Sequence, residues 1–320
     1  ELVVNVTTIL GGSGESYSSW IVSQRNLPKY TVAGYTGLYS HRNMNIGDGD
    51  LTNPNYNLVE GNRAGFAGVN PNNKGATNID VQSPKNIVRY NSVYGGMGSG
   101  ISFKFAVGDP TYTGGVLNHI YNNTSYSNGS GYDWSFYAAG NTGNTVQGQG
   151  IGQGTSGGEG GAHTHNIIKN NLVYGNVNGD ICFSKDGQIA TCIPWAGDTV
   201  TNNWTTYGSG QGNPLFINPS LTDPTSQNLI PSAHGYTATP IPNLSLQASS
   251  PAINGGTNLT QANGAGTNST TLVVVDAGYF QDGTWGSDLT HGVTFFPDWI
   301  AIGTVNNIVQ ISSVNYIMPA

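Results

Sequence analysis

An all-β solenoid, a parallel β-helix, is the fold class this sequence predicts, and three observations predict it. An apolar residue, two variable residues and Asn recur five times, at Val59/Asn62, Val88/Asn91, Ile120/Asn123, Ile168/Asn171 and Val200/Asn203. In three copies a Tyr follows the Asn by three residues, at Tyr94, Tyr126 and Tyr174. The segment NIVRYNSVYGGMGSGISF, 86–103, aligns without a gap on NIIKNNLVYGNVNGDICF, 166–183. Self-similarity at a period of about 20–50 residues marks units that bury their apolar faces only against neighbouring units.

The units are strands. Around each Asn the apolar residues alternate or run in twos and threes, favour Val, Ile, Tyr and Phe, and are bounded by Gly, Asn and Ser. No window carries a sustained helical stripe. The recurring Asn suits a coil corner, because Asn tolerates the left-handed backbone region and its amide bonds to nearby backbone. Stacked coils then set Asn62, Asn91, Asn123, Asn171 and Asn203 one above the next, where their amides can pair in a ladder.

The units divide the chain. Residues 1–56 are poorly patterned and read as an N-terminal cap or first coils. Residues 57–256 read as the β-helix. Within it, residues 139–162 form a Gly-, Gln- and Thr-rich insertion, too polar to pack, that should project as a loop. Residues 257–320 read as a C-terminal β extension, with strand-like runs in TTLVVVDAGYF, VTFFPDWIAIG and NNIVQISSVNYIM. The chain opens directly with the strand-like ELVVNVTTIL, which suggests a mature or trimmed product. Strands at chain ends can complete a neighbour's sheet, so self-association through them is one expectation.

Composition excludes some functions. The 320 residues include 47 Gly, are 37% hydrophobic and only 8% charged, and carry a net charge of −7, which fits a folded β protein and not a disordered chain. The ten Lys and Arg form no basic run, which argues against nucleic acid as a partner. No apolar stretch of about 18 residues exists to span a membrane as a helix. Cys182 and Cys192 flank a short polar loop; in an oxidising compartment they can close a disulfide, and otherwise they are two buried thiols.

The closing segment adds a resemblance. Asn213-Pro214-Leu215-Phe216, followed by Leu246 to Gly256 with its SPAI, resembles the end of secreted right-handed parallel β-helix proteins of the pectate-lyase-like superfold. The resemblance covers about residues 57–256. It implies an extracellular or cell-surface protein that binds or processes polysaccharide or a cell-surface glycan. If the chain is an enzyme, it implies a polysaccharide lyase or glycoside hydrolase. The alternative is a structural subunit of an extracellular filament, sheath or adhesin.

Candidate site residues are sparse. Lyases of this superfold use clustered carboxylates for Ca²⁺, and the repeats carry none. Asp48 and Asp50 alone, in a Gly-flanked turn, offer a weak site, so a Ca²⁺-dependent lyase is not expected. No cofactor is expected. Asp133 and Asp180 sit near the ends of two units, where a carboxylate pair could act in hydrolysis, or each could simply face solvent in a turn. Glu159, His163 and His165 are the densest polar set and could bind a metal or supply acid and base. Lys104, between two phenylalanines, points outward if they point in, and could face a glycan. Tyr94, Tyr126 and Tyr174 should form one row, a platform for sugar rings if it faces solvent and a core stack if it faces inward.

Overall fold

A computed structural model describes residues 42–46, 58–65, 77–81, 85–96, 98–104, 118–129, 149–154, 165–177, 179–184, 192–194, 197–206, 208, 211–221, 242–264, 269–283 and 297–315. Among these the chain is all-β. Strand β1 (Arg42–Ile46) precedes four complete coils. The first is β2 (Leu58–Glu60), β3 (Arg63–Gly65) and β4 (Thr77–Val81). The second is β5 (Ile87–Arg89), β6 (Ser92–Tyr94) and β7 (Ser99–Lys104). The third is β8 (His119–Tyr121), β9 (Thr124–Tyr126) and β10 (Ile151–Gly154). A fourth follows as β11 (Ile167–Lys169), β12 (Leu172–Tyr174) and β13 (Ile181–Ser184), and a partial fifth as β14 (Thr199–Thr201) and β15 (Trp204–Thr205).

Corresponding strands stack in parallel into three five-stranded sheets. Sheet A holds β2, β5, β8, β11 and β14; sheet B holds β3, β6, β9, β12 and β15; sheet C holds β1, β4, β7, β10 and β13. The pairing register puts Val59, Val88, Ile120, Ile168 and Val200 in one inward column. Ile79, Ile101, Ile151 and Ile181 form a second column from sheet C. These columns meet Val93, Val173, Phe103 and Phe183 in one buried core.

Three corners are closed by Asn ladders. At the corner between sheets A and B, each Asn from Asn62 to Asn171 donates its side-chain N–H to Oδ1 of the next at 2.9 Å, and its backbone N–H goes to the same oxygen. A second ladder runs Asn86, Asn118, Asn166 and ends on Asp198. A third runs Asn78, Asn128, Asn176 and ends on Asp180. A buried amide left unpaired is costly, so each ladder fixes coil register as well as stability.

Three expectations need correction. The left-handed residue at the first corner is not the ladder Asn but the one before it: Gly61, Tyr90, Asn122, Asn170 and Asn202, with φ between 52° and 70°. That geometry frees the ladder Asn to turn its amide along the stack. The 139–162 insertion does not wholly project. Residues 149–150 are buried, and β10, with its buried Ile151, pairs with β7 and β13 inside sheet C. A side chain at Gly150 would strike Val173 and Asn176, so the glycines that make this stretch look unstructured are what let it pack. Finally, 271–280 forms no strand and makes an isolated bridge from Val274 to Ala262. The C-terminal extension contributes instead an antiparallel hairpin, β18 (Trp299–Ala301) with β19 (Ile308–Gln310). Before it, β16 (Phe216–Asn218) pairs antiparallel with β17 (Asn243–Leu246).

Candidate functional site

Alternation along sheet A decides what faces outward. With Val59, Val88, Ile120 and Ile168 turned in, their neighbours turn out as two rows. One row is Leu58, Ile87, His119 and Ile167; the other is Glu60, Arg89, Tyr121 and Lys169. These rows are roofed by the C-terminal extension, where Tyr279 and Phe280 join Leu58, Ile87, Tyr121 and Leu259 in a second apolar cluster.

Polar contacts pin the roof rung by rung. Arg89 makes a bidentate pair with the two oxygens of Asp298 (2.8 and 2.6 Å) and donates two further N–H groups to a single oxygen, Oε2, of Glu60 (2.8 and 2.6 Å). The Tyr121 hydroxyl donates to the Tyr279 carbonyl. His119 Nε2 lies 2.9 Å from Asp276 Oδ2, and Lys169 donates to the Leu259 carbonyl at 2.9 Å. Asn170 exchanges hydrogen bonds with Thr257. Burial opposes the charge on Arg89, but Tyr121, Asp298 and Glu60 outweigh it and raise its pKa. Burial pushes the Tyr121 hydroxyl upward too. For Asp276, burial pushes up, yet His119, the Gly278 N–H and Lys169 together hold it below the ordinary carboxylate value.

Between this roof and the first two coils lies a groove of about 910 Å³. Its floor carries Glu60, Arg89 and Asp298; its walls are Leu259, Leu272 and Val274 with the β18 segment. Tyr90 and Trp299 are 52% and 62% exposed. Among the described residues they are the most exposed aromatic side chains, and both line this groove. A smaller polar pocket with Lys169, Asn202, Asp276 and Tyr279 adjoins it across residues 258–261.

Tyr90 departs from its own repeat. Other coils place Gly or Asn at this left-handed corner, where a bulky residue is strained by about 1–2 kcal/mol. The Arg89 guanidinium lies 5.6 Å from its ring centroid, and Tyr121 meets it edge-on at 6.3 Å. Local strain maintained by its surroundings concentrates at functional sites.

Those of the residues singled out in the sequence that the structure describes lie elsewhere. Tyr94, Tyr126 and Tyr174 do form a registered row, on the outer face of sheet B. Tyr94 is only 5% exposed, and Tyr126 packs edge-on against Phe216 of the NPLF motif at 5.2 Å. Asp180 is buried at the end of a ladder and also accepts the Thr206 N–H, so it does not face solvent in a turn. His165 sits exposed beside the second ladder, with φ 70°. Cys182 and Cys192 are joined in a disulfide. Lys104 closes β7. Glu159, His163, Asp133, Asp48 and Asp50 lie outside the described residues. Among the described residues no group of three His, Cys, Asp or Glu is placed to hold a metal. No described helix is long and apolar enough to cross a membrane.

Comparisons with family models, with curated proteins and with solved structures find no match. The chemistry of the groove therefore has to be read from its own residues.

Proposed function

We propose that this protein binds polysaccharide in the groove between sheet A and its C-terminal extension. One observation carries the reading: the two most exposed aromatic rings of the described chain, Tyr90 and Trp299, line the same groove. Sugar rings offer apolar faces that stack on aromatic rings, and Asn258, Thr260 and Gln261 supply hydrogen-bonding groups on the same wall. The pectate-lyase-like resemblance of the NPLF and SPAI segments supports the same ligand class. Binding fits better than cleavage, because Glu60 and Asp298 are both engaged by Arg89 and neither is placed as a free acid or base. The Cys182–Cys192 disulfide supports an extracellular or surface setting.

Affinity electrophoresis through gels containing xylan, β-glucan, mannan or polygalacturonate tests this. At least one polymer should retard the protein, and Tyr90→Asn or Trp299→Ala should weaken that retardation at least tenfold while the fold persists by circular dichroism. Unretarded protein in every gel, or variants retarded like the parent, would sink the proposal. A second reading, assembly into a filament or sheath, is favoured by the apolar side chains that β18–β19 leaves in solvent, with Val305 78% exposed and Ile308 and Val309 beside it. Concentration-dependent sedimentation separates it from the first.

A further inference from the structure

We infer that the groove selects neutral glycans and rejects acidic ones; the inference rests on the reading that the groove binds glycan at all. Recognition of a uronate or sulfate is strongest through a cation with donors to spare, best of all the free edge of a guanidinium. The charged residues lining the groove are Glu60, Arg89 and Asp298. Two carboxylates against one guanidinium leave the floor with a net charge of −1.

Arg89 has no donor to spare. Its Nε–H goes to Glu60. One terminal nitrogen serves Glu60 and Asp298. The other serves Asp298, the Tyr121 hydroxyl and, at 3.5 Å, the Tyr279 carbonyl. A guanidinium has five N–H groups, and these acceptors occupy all of them. The side chain is also buried, 6% exposed, so a ligand carboxylate could reach it only by displacing a protein carboxylate.

The one cation among the described residues of the adjoining pocket, Lys169, is matched there by a carboxylate. Lys169 donates to the Leu259 carbonyl, lies 5.8 Å from the Tyr279 ring centroid, and faces Asp276, whose charge offsets its own. The whole chain adds a field of the same sign, with a net charge of −7. An acidic polymer therefore meets repulsion at long range, and among the described residues lining the groove the one cation, Arg89, is already spent on two carboxylates. A neutral polymer meets two exposed rings and a wall of amide and hydroxyl groups.

The test compares β-1,4-mannan oligomers with β-1,4-mannuronate oligomers of matched length, by calorimetry at low salt. The mannan series should bind at least tenfold more tightly. Raising the salt should improve mannuronate binding relative to mannan, as screening weakens repulsion. Glu60→Gln, which keeps an acceptor for Arg89 while removing one negative charge, should raise the mannuronate-to-mannan affinity ratio several-fold. Equal or tighter binding of mannuronate by the parent protein would overturn the charge selection while leaving glycan binding intact. Binding of neither series, together with no retardation in any polysaccharide gel, would overturn glycan binding itself.

Discussion

In the coil stack, one side chain does one job on every rung. Asn91, Asn123 and Asn171 make the same two contacts to the next coil and donate a further hydrogen bond to the carbonyl of Val59, Val88 and Ile120 in turn. In the extension laid over sheet A, each contact uses a different residue: Arg89 to Asp298, Tyr121 to Tyr279, His119 to Asp276, Lys169 to Leu259. Repetition spreads stability over many equal contacts, so the loss of one is local. The docked extension concentrates it in a few unequal ones, and the groove exists only while they hold.

The largest effect should come from the most connected of these. Arg89→Ala leaves Glu60 and Asp298 largely buried without their partner, at a cost of about 3–5 kcal/mol. Hydrogen exchange should show it as faster opening of residues 276–283 and 297–300, with the ladders still protected. Loss of protection throughout the coils would break the distinction. Asn171→Ala should cost less, about 1–3 kcal/mol, because it orphans partners in two neighbouring coils but no charge. Chemical denaturation measures both.

Acid should move the two regions in opposite directions. Burial lifts the Asp198 carboxyl to about 6, against the Asn166 hydrogen bonds and the His165 charge. The folded acid thus holds its proton more tightly than the unfolded one, and this contribution is complete below about pH 4 and lost as pH rises through 6. Asp276 is held below its ordinary value, so its contribution is present above about pH 4 and lost as pH falls further. Exchange near residues 197–203 should slow between about pH 7 and 5, and exchange near residues 276–281 should quicken only in stronger acid. Asp198→Asn extends the ladder with an amide. Since Asp198 is partly exposed, it should add no more than about 1 kcal/mol at neutral pH and flatten the titration.

The smallest change in stability, and the sharpest separation of stability from function, is expected at Tyr90. Replacing it with Asn gives the corner the residue that Asn122, Asn170 and Asn202 supply in later coils. Relief of backbone strain should offset the lost ring contacts to within about 1 kcal/mol, while glycan binding falls. A melting temperature that drops by many degrees would show Tyr90 to be structural.

The same contrast explains what could be read from sequence. The apolar-x-x-Asn repeat and the alignment of 86–103 on 166–183 were enough to place the sheet A core column and the first ladder, because a repeat announces itself. The other two ladders were legible in principle: Asn118, Asn123 and Asn128, like Asn166, Asn171 and Asn176, recur every five residues. Strand β10 was hidden because Gly150 and Gly152 suggest a loop, and only the neighbouring coil shows that a side chain at Gly150 would collide. The groove had no repeat to betray it. Glu60 and Arg89 occupy one register position yet carry opposite charges, and Asp298 lies 209 residues beyond Arg89. One signal was available: a Tyr stands before the ladder Asn at position 90, where the other coils have Gly or Asn.

The groove and the tyrosine row of sheet B are rival aromatic surfaces, and a structure of the protein with a bound neutral oligosaccharide decides between them. Sugar rings stacked on Tyr90 and Trp299, with hydroxyls on Asn258 to Gln261, is the predicted result. Sugar seated on Tyr126 and Tyr174, or a groove filled by a strand from a second copy of the chain, would contradict it.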